Sequence, residues 1–459
     1  MKAGLGNHMT HLILALWASI YLTTAPAAPP TAATPPTATP ITFQPGQLTN
    51  PVTCKADPTQ SYAVYIPAKG NSQPLPIIYF FDPHADGALP LNKYKALADA
   101  YGFILVGSNN SKNGNDWATT ENIWRRLADD TKSRLKIDPR RVYTCGFSGG
   151  AKVASYIALQ HPGITGVIAG GAGLPDGTPA GDFPFSFTAI AGEGDMNLTD
   201  LEALNGELDK TRTRHRFIHF DGRHEWAPEN VMHLAFAGLQ FDAMRAALIP
   251  KSDINSYITK SKERLAADYK AGQLIKAGQE CQLSIDLLDG LTAEVGWFKK
   301  EAASLAGDAK YQQQRQQQQY LLVREQNTKE EYMQHFRQGD MPYWTATIAD
   351  LQANAGARTA ETGMYQRLLA YLSLAFYSFS NRLIGAGQND EARYFVELYK
   401  KADPTNSEAW YFSAILHARA GEVHAAKDDL GTATKKGFRD KDRLQRQPEF
   451  QNLSPLFQN

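Results

Sequence analysis

Hydrophobic and polar positions alternate in short blocks between residues 61 and 249. Short apolar or β-branched runs are separated by longer stretches with helical spacing, which is the pattern of a mostly parallel sheet with helices on both faces. Most of these runs are almost continuously apolar, as expected for strands that are covered on both sides. The predicted strands are 62–66, 77–81, 103–107, 141–145, 165–168, 185–191 and 216–220. The pattern therefore predicts an α/β domain over residues 49–249.

After Pro250 the pattern changes, because Gly and Pro become rarer and apolar residues recur at helical spacing. This indicates an all-helical remainder, which we divide into a helical region at 250–370 and a repeat region at 371–459. Three pairs of positions in the repeat region are each 34 residues apart, namely Phe376 and Trp410, Gly387 and Gly421, and Ala392 and Ala426. This period resembles tetratricopeptide repeats, whose stacked helix pairs form a concave surface for a peptide or protein partner. The alternative is an ordinary helical bundle with a chance register.

The amino terminus has the layout of a secretory signal peptide over residues 1–28. A basic Lys2 precedes an apolar stretch at 11–22, and small residues follow at 25–28. The stretch is shorter than the roughly 20 residues that a spanning helix needs, so we expect export to the periplasm or the extracellular space without a stable membrane span. An uncleaved membrane anchor is the alternative. Residues 29–48, rich in Pro, Ala and Thr, are predicted to form an extended linker.

Charge and cysteine content exclude several classes of protein. Lys plus Arg and Asp plus Glu each number 47, with no long run of one sign, so we expect no nucleic-acid partner. Three cysteines, Cys54, Cys145 and Cys281, are too few for a disulfide scaffold. Because Cys145 lies in a predicted buried strand, we expect it to be a small apolar core residue and not a nucleophile.

A Gly-Phe-Ser-Gly-Gly segment at 146–150 follows one predicted strand and precedes a helix-like stretch at 151–159. This context matters more than the G-x-S-x-G pattern itself. On a sharp turn between strand and helix, Ser148 would be held in a strained conformation with its hydroxyl exposed. The sequence therefore predicts Ser148 as a nucleophile, with a glycine-rich structural turn as the alternative.

A serine nucleophile needs a base and an acid that orients the base, and in this type of fold the acid comes second along the chain. Asp195 lies just past the strand at 185–191, at the sheet edge where open α/β sheets hold their active groups. We predict Asp195 as the acid. Glu193 and Asp200 are competitors, and Asp195 could also simply cap the following helix.

The base is predicted to be His224, which follows the strand at 216–220. His215 and His219 lie at or within that strand, where structural roles are expected. Removal of a general base costs typically about 10²- to 10⁴-fold in rate.

The oxyanion hole is expected to use the backbone N–H of Gly149, the residue after the nucleophile, and a second N–H from the loop at 81–87. Pro83 has no N–H, so His84 or Ala85 becomes the candidate, and we predict His84. His84 could instead contact substrate or lie on the surface. Asn109 and Asn110 also follow a strand and are left without an assigned role.

The segment at 137–150 resembles the nucleophile region of the polyhydroxybutyrate depolymerase and feruloyl esterase group of α/β-hydrolases. His161-Pro162-Gly163, the Gly-rich segment at 170–175 and the turn at 222–226 support this resemblance, which covers residues 50–248. It implies carboxylic ester hydrolysis through Ser148, Asp195 and His224, with no metal or organic cofactor. The chain departs from that group at 82–83, where Asp-Pro stands in place of the usual His-Gly.

Three functions compete at this point. The first is an exported serine esterase acting on a small or polymeric ester through an acyl-enzyme intermediate. The second is a serine peptidase with the same triad, because only the shape of the pocket separates the two activities. The third is an inactive hydrolase scaffold whose helical repeats bind a partner.

Overall fold

The computed structural model describes residues 43–70, 72–252, 254–337 and 340–453. The predicted signal peptide at 1–28 and residues 29–42 of the predicted linker lie outside this range. Within it, Phe43 packs against the core and the N–H of Gly46 donates to the carbonyl of Ile66. The chain thus joins the domain a few residues before its first strand. No helix within the described ranges is both long enough and apolar enough to span a membrane.

Eight strands form one sheet in the order β1-β2-β4-β3-β5-β6-β7-β8. Their bounds are β1 Leu48–Thr53, β2 Ser61–Tyr65, β3 Leu75–Phe81, β4 Ile104–Ser108, β5 Ile137–Phe147, β6 Gly166–Gly170, β7 Ser186–Gly192 and β8 His215–Phe220. Strand β2 pairs antiparallel with both β1 and β4, and every pair from β4 to β8 is parallel. The predicted fold class, a mostly parallel sheet followed by an all-helical region, is confirmed.

All seven runs predicted as strands form strands, whereas β1 was not predicted. This strand lies at the edge of the sheet, and five of its six residues are exposed or partly exposed, while Val52 is buried. It contains Pro51, which is tolerated at a sheet edge because no ladder hydrogen bond from its nitrogen is needed there. An edge strand of this kind lacks the continuous apolar run that reveals the buried strands.

Five helices cover the sheet: α1 Ala88–Tyr101, α2 Trp117–Arg134, α3 Gly149–Gln160, α4 Leu198–Leu208 and α5 Glu229–Arg245. Side chains of β3 alternate between the two layers. Ile77 and Tyr79 belong to the core under α2 and α3, and Ile78 and Phe80 belong to the core under α1 and α5. A strand buried on both faces needs apolar residues at both parities, which is why β3 is apolar throughout.

The remaining helices are α6 Ile254–Ala271, α7 Leu274–Leu288, α8 Val295–Gly307, α9 Ala309–His335, α10 Met341–Ala355, α11 Thr362–Gly385, α12 Asn389–Ala402, α13 Ser407–Arg419, α14 Val423–Lys435 and α15 Lys441–Arg446. Helices α6 to α8 contribute Tyr257, Leu287 and Phe298 to the core under α1 and α5. From α9 onward the helices surround a separate core. The change of composition at residue 250 therefore does not coincide with a change of core.

The 34-residue register falls on two successive helix pairs, α11 with α12 and α13 with α14. Gly387 and Gly421 both follow the first helix of a pair at positive φ, 72° and 77°. The aromatic positions differ, because Phe376 is fully buried while Trp410 is half-buried with Lys400 and Lys436 over its ring. Helix α11 also crosses the predicted boundary between the helical region at 250–370 and the repeat region at 371–459. The repeat interpretation remains a prediction.

All three cysteines are buried and unbridged. Burial raises the pKa of the Cys145 thiol well above its usual value. A thiol with a raised pKa is a poor nucleophile at neutral pH, so Cys145 acts in packing.

Candidate active site

Ser148 lies on the turn between β5 and α3, with φ 54° and ψ −123°. Positive φ is unusual for a residue with a Cβ, and strain of this kind is typical of a nucleophile turn. The flanking glycines are required by close backbone contacts. A Cβ on Gly146 would lie 2.0 Å from the carbonyl oxygen of Gly150, and one on Gly150 would lie 1.9 Å from that of Phe81.

The structure brings Ser148, His224 and Asp195 into one hydrogen-bonded chain. The Nε2 atom of His224 lies 3.0 Å from the Ser148 Oγ, and its Nδ1 lies 2.9 Å from the Asp195 Oδ1. The side chain of Asp195 is 1% exposed and that of His224 is 18% exposed. In such an arrangement, the buried carboxylate of Asp195 fixes the tautomer of the His224 imidazole. The other nitrogen of the imidazole then faces the Ser148 hydroxyl.

A tight turn after β7 holds Asp195 in place. Its N–H donates to the carbonyl of Gly192, and its Oδ1 accepts the N–H of Asn197 at 2.9 Å. The Asn197 carboxamide in turn donates to the carbonyl of Gly171 at 2.7 Å. The competing acids lie elsewhere, Glu193 at the start of this turn and Asp200 in the first turn of α4.

Gly171, at φ 64°, lies against the back of the site. A Cβ there would lie 2.8 Å from the ring of Phe147, 3.0 Å from the Cε1 of His224 and 3.1 Å from the Oδ2 of Asp195. The Phe147 ring also packs on the His224 imidazole with centroids 4.7 Å apart. The His224 imidazole is thereby confined between the Phe147 ring and the backbone of Gly171.

The other two histidines of β8 have local contacts. His215 lies 3.0 Å from the carbonyl of Thr213 through Nδ1 and 3.1 Å from Asp209 through Nε2. The His219 ring packs on Phe217 with centroids 4.0 Å apart. These contacts accord with structural roles for both.

Gly149, the predicted first oxyanion donor, is the first residue of α3. First-turn N–H groups have no intrahelical acceptor, and the N–H of Gly149 finds none elsewhere in the described part of the chain. The carboxamide of Asn113 lies over this residue, since a Cβ on Gly149 would be 1.8 Å from the Asn113 Oδ1. The helix terminus therefore offers an unused donor directly beside a side-chain amide.

His84, the predicted second donor, uses its N–H within its own loop. That N–H donates to the Asp82 Oδ1 at 2.8 Å, and the N–H of Ala85 donates to the Asp82 carbonyl at 3.1 Å. The His84 side chain is 78% exposed. Both candidate N–H groups of this loop are thus occupied by Asp82.

Asp82 and Pro83, which stand where the resembling group has His-Gly, organise the loops around the site. The buried Asp82 accepts the indole N–H of Trp226 at 2.9 Å, which joins the β3 loop to the loop that carries His224. The carbonyl of Pro83 accepts the N–H of Asn113 at 2.9 Å. The Asp-Pro pair therefore positions the segment that brings Asn113 to Gly149.

Asn109 and Asn110 connect β4 to the sheet edge. The Asn109 amide donates to the Asn50 Oδ1 at 2.8 Å, and the Asn110 Oδ1 accepts the N–H of Ser61 at the same distance. Their contacts are structural.

The contacts of Asp82, Asn113 and Arg367 around the site were not predicted from the sequence. Arg367, in α11, donates to the carbonyl of Glu193 at 2.6 Å, two residues before the predicted acid. Each of these contacts joins segments far apart in the chain, so no local pattern marks them. Within the described ranges, no group of three or more His, Cys, Asp or Glu side chains is arranged to hold a metal ion.

The strand order and the strand–Ser148–helix turn define an α/β-hydrolase fold followed by an all-helical region. The chain matches no profile of a known protein family. It is similar to acetylxylan esterase A of Emericella nidulans, with 26% identity over 148 residues that cover 29% of this chain and 49% of that enzyme. The match thus spans about half the length of that relative.

Solved structures of esterases also resemble the chain. The esterase of Pyrobaculum calidifontis has a TM-score of 0.36 and 11% identity, covering 44% of this chain and 87% of its own. The feruloyl esterase module of Clostridium thermocellum has a TM-score of 0.35 and 12% identity, covering 42% and 86%. With scores of this size, the fold class follows from the strand order of this chain and not from these similarities.

Proposed function

We propose that the protein hydrolyses carboxylic esters through Ser148, His224 and Asp195. The observation that carries the proposal is the continuous hydrogen-bonded chain from the Ser148 Oγ through His224 to the buried Asp195. The similarity to acetylxylan esterase A supports an ester, and not an amide, as the substrate class. Export is part of the proposal and rests on the sequence at 1–28.

In the proposed reaction, the Oγ of Ser148 attacks the ester carbonyl carbon while the Nε2 of His224 takes its proton. Asp195 holds the imidazole by its Nδ1 hydrogen and stabilises the imidazolium that forms. The tetrahedral intermediate collapses as His224 returns the proton to the leaving alkoxide, which departs as the alcohol. Water, deprotonated by His224, then attacks the acyl-enzyme, and His224 returns this proton to the Ser148 Oγ as the carboxylic acid is released.

We propose Gly149 and Asn113 as the two donors to the oxyanion. The N–H of Gly149 is unused and lies at the positive end of α3. The Asn113 carboxamide lies over the same residue, and a half-turn about its Cβ–Cγ bond presents Nδ2 on the side where Oδ1 now lies. The His84 N–H could donate to the oxyanion only after its hydrogen bond to the Asp82 Oδ1 breaks.

A fluorophosphonate probe tests the function, because it forms a stable covalent bond only with an activated serine. We expect stoichiometric labelling, mapped to the peptide that contains Ser148. Hydrolysis of p-nitrophenyl, feruloyl and acetyl-xylan esters should accompany it, whereas peptide amides should remain intact. A folded protein that neither reacts with the probe nor cleaves any ester would support the inactive-scaffold alternative.

Replacing Asn113 by alanine should lower kcat by about 10²-fold, with a smaller effect on KM. The loss of one oxyanion donor costs about 10²- to 10³-fold, because the donor acts mainly on charge that develops in the transition state. Asn113→Asp should be at least as harmful, since a carboxylate cannot donate and repels the oxyanion. The measurement is steady-state kinetics on one p-nitrophenyl ester.

Asn115→Ala is the matched control, because Asn115 lies in the same loop but donates to the Asn110 carbonyl. We expect it to keep kcat within a few-fold of the parent. Equal losses in the two variants would mean that loop conformation matters, and not a donor at position 113.

A further inference from the structure

The first turns of α11 pack closely against residues 192–195, the turn after β7 that we call the acid turn. A Cβ on Gly363 of α11 would lie 3.2 Å from the Glu193 carbonyl oxygen. On the other side of the contact, a Cβ on Gly194 would lie 2.5 Å from the Gln366 Oε1. The two glycines thus allow the helix and the acid turn to approach each other closely, and the helical region contacts the hydrolase domain at the segment that carries the proposed acid.

Arg367 bonds the acid turn to a buried carboxylate of α9. Its Nη1 donates to the Glu193 carbonyl at 2.6 Å, and its Nε donates to the Glu325 Oε2 at 2.7 Å. Arg367 is 6% exposed and Glu325 is 1% exposed, and Glu325 also pairs with Lys329, one turn further along α9, at 2.7 Å. Because the carboxylate is itself held from two sides, it fixes the direction in which the planar guanidinium points toward the Glu193 carbonyl.

The peptide unit between Glu193 and Gly194 is hydrogen-bonded through both of its polar groups. Its carbonyl accepts from Arg367, and its N–H donates to the Gly222 carbonyl at 2.8 Å. Gly194 directly precedes the proposed acid, and Gly222 lies two residues before His224, the proposed base. Hydrogen bonds in a chain polarise one another, so a cation on the carbonyl strengthens the bond that the N–H makes. A single peptide unit therefore connects Arg367 to the segments that carry both groups.

We propose that Arg367 is a positioning residue for the reaction at Ser148, and that it acts through the peptide unit at 193–194 on the contact between Asp195 and His224. The inference rests on the proposed esterase function, because that function defines the reaction. A displacement of about 1 Å in a catalytic group can cost about 10²-fold in rate, so a bond that fixes the acid turn has a large effect on kcat. The helical region supplies both Arg367 and Glu325 and is in this way part of the catalytic unit.

Replacing Arg367 by methionine in the full-length protein should lower kcat for p-nitrophenyl butyrate by about 10- to 100-fold. The KM should stay within about twofold, because the lost bond is to the acid turn and not to the substrate. Methionine retains most of the apolar stem of the side chain, and Lys329 still pairs with Glu325, so the fold should be retained.

Arg367→Lys is the conservative variant. Its single ammonium replaces a guanidinium fork that reaches two acceptors, so we expect an intermediate loss in kcat of about threefold to tenfold. This variant keeps the buried cation beside Glu325, and it decides the question if the methionine variant does not fold.

A double variant separates positioning from a general loss of stability. In the Asp195→Asn background, Arg367→Met should lower kcat by less than about threefold, because both changes act on the same contact. Arg324→Met is the matched control. Arg324 lies in α9 and bonds to Glu361 and Tyr365 at the start of α11, at 3.1 and 3.2 Å. Its loss loosens the same pair of helices but leaves the bonds of Arg367 in place, so kcat should stay within about twofold of the parent.

Amide hydrogen exchange on peptides that cover 192–197 tests the inference without any substrate. Arg367→Met should speed exchange at residues 193–195 by at least about tenfold, because the acid turn opens more often, whereas Arg324→Met should not. If the parent hydrolyses no ester, the proposed function fails, and this exchange alone decides whether Arg367 holds the acid turn.

Three results overturn the inference and leave the proposed function standing. The first is ester hydrolysis at the parental kcat in folded Arg367→Met, or in Arg367→Lys where methionine is not tolerated. The second is a loss that is fully additive with that of Asp195→Asn. The third is unchanged amide exchange at 193–195.

Discussion

Replacing Ser148 by alanine is expected to lower kcat for ester hydrolysis by about 10⁵- to 10⁶-fold. The Oγ is the atom that bonds to the acyl carbon in the proposed reaction, and it lies 3.0 Å from the His224 Nε2 that takes its proton. The oxyanion donors remain, so a residual rate about 10³-fold above water is expected. Alanine keeps the Cβ that the turn already accommodates at φ 54°, so the fold should be retained. Steady-state kinetics with p-nitrophenyl butyrate measures the loss.

Adding His224→Ala to Ser148→Ala should cause almost no further loss, because residues that act as one unit are not additive. Ser133→Ala is the matched control, since Ser133 is a partly buried serine of α2 that bonds to the Asp130 carbonyl. It should keep full activity. A Ser148→Ala protein with normal thermal unfolding and more than a tenth of the parental kcat would exclude Ser148 as the nucleophile.

Replacing Asp195 by asparagine is expected to lower kcat by about 10⁴-fold with little change in KM. The Asp195 Oδ1 faces the Nδ1 of His224 at 2.9 Å, and only an acceptor there keeps the proton on Nδ1 and leaves Nε2 free to receive one. An amide donor at this place favours the wrong tautomer and no longer stabilises the imidazolium. The side chains have the same shape, so circular dichroism and unfolding temperature should change little.

Glu193→Gln and Asp200→Asn are the matched controls for Asp195→Asn, because they alter the two carboxylates that compete with Asp195 for the role of the catalytic acid. Both should stay within about threefold of the parental kcat, since His224 is already bonded to Asp195. A larger loss in either variant than in Asp195→Asn would move the role of the acid to that residue.

The local sequence was sufficient to predict the buried strands and to select three candidate catalytic side chains. Buried parallel strands need apolar residues on both faces, so β3 and β7 are visible as continuous runs. Ser148, Asp195 and His224 each follow a strand of the parallel part of the sheet, and the carboxyl ends of parallel strands meet at one edge. Their proximity in the structure is thus what strand order and local pattern predict, while their catalytic roles remain proposals.

Only the tertiary structure decided what surrounds those side chains. The use of the His84 N–H by Asp82, the position of Asn113 over Gly149 and the bond from Arg367 to Glu193 each depend on how separate elements pack. The same holds for the helices after Pro250, since α6 to α8 complete a core of the sheet although their composition differs from that of the α/β domain. Periodicity reports which face of an element is buried, but not which distant segment covers it, because that choice depends on the shapes and polar groups of both partners.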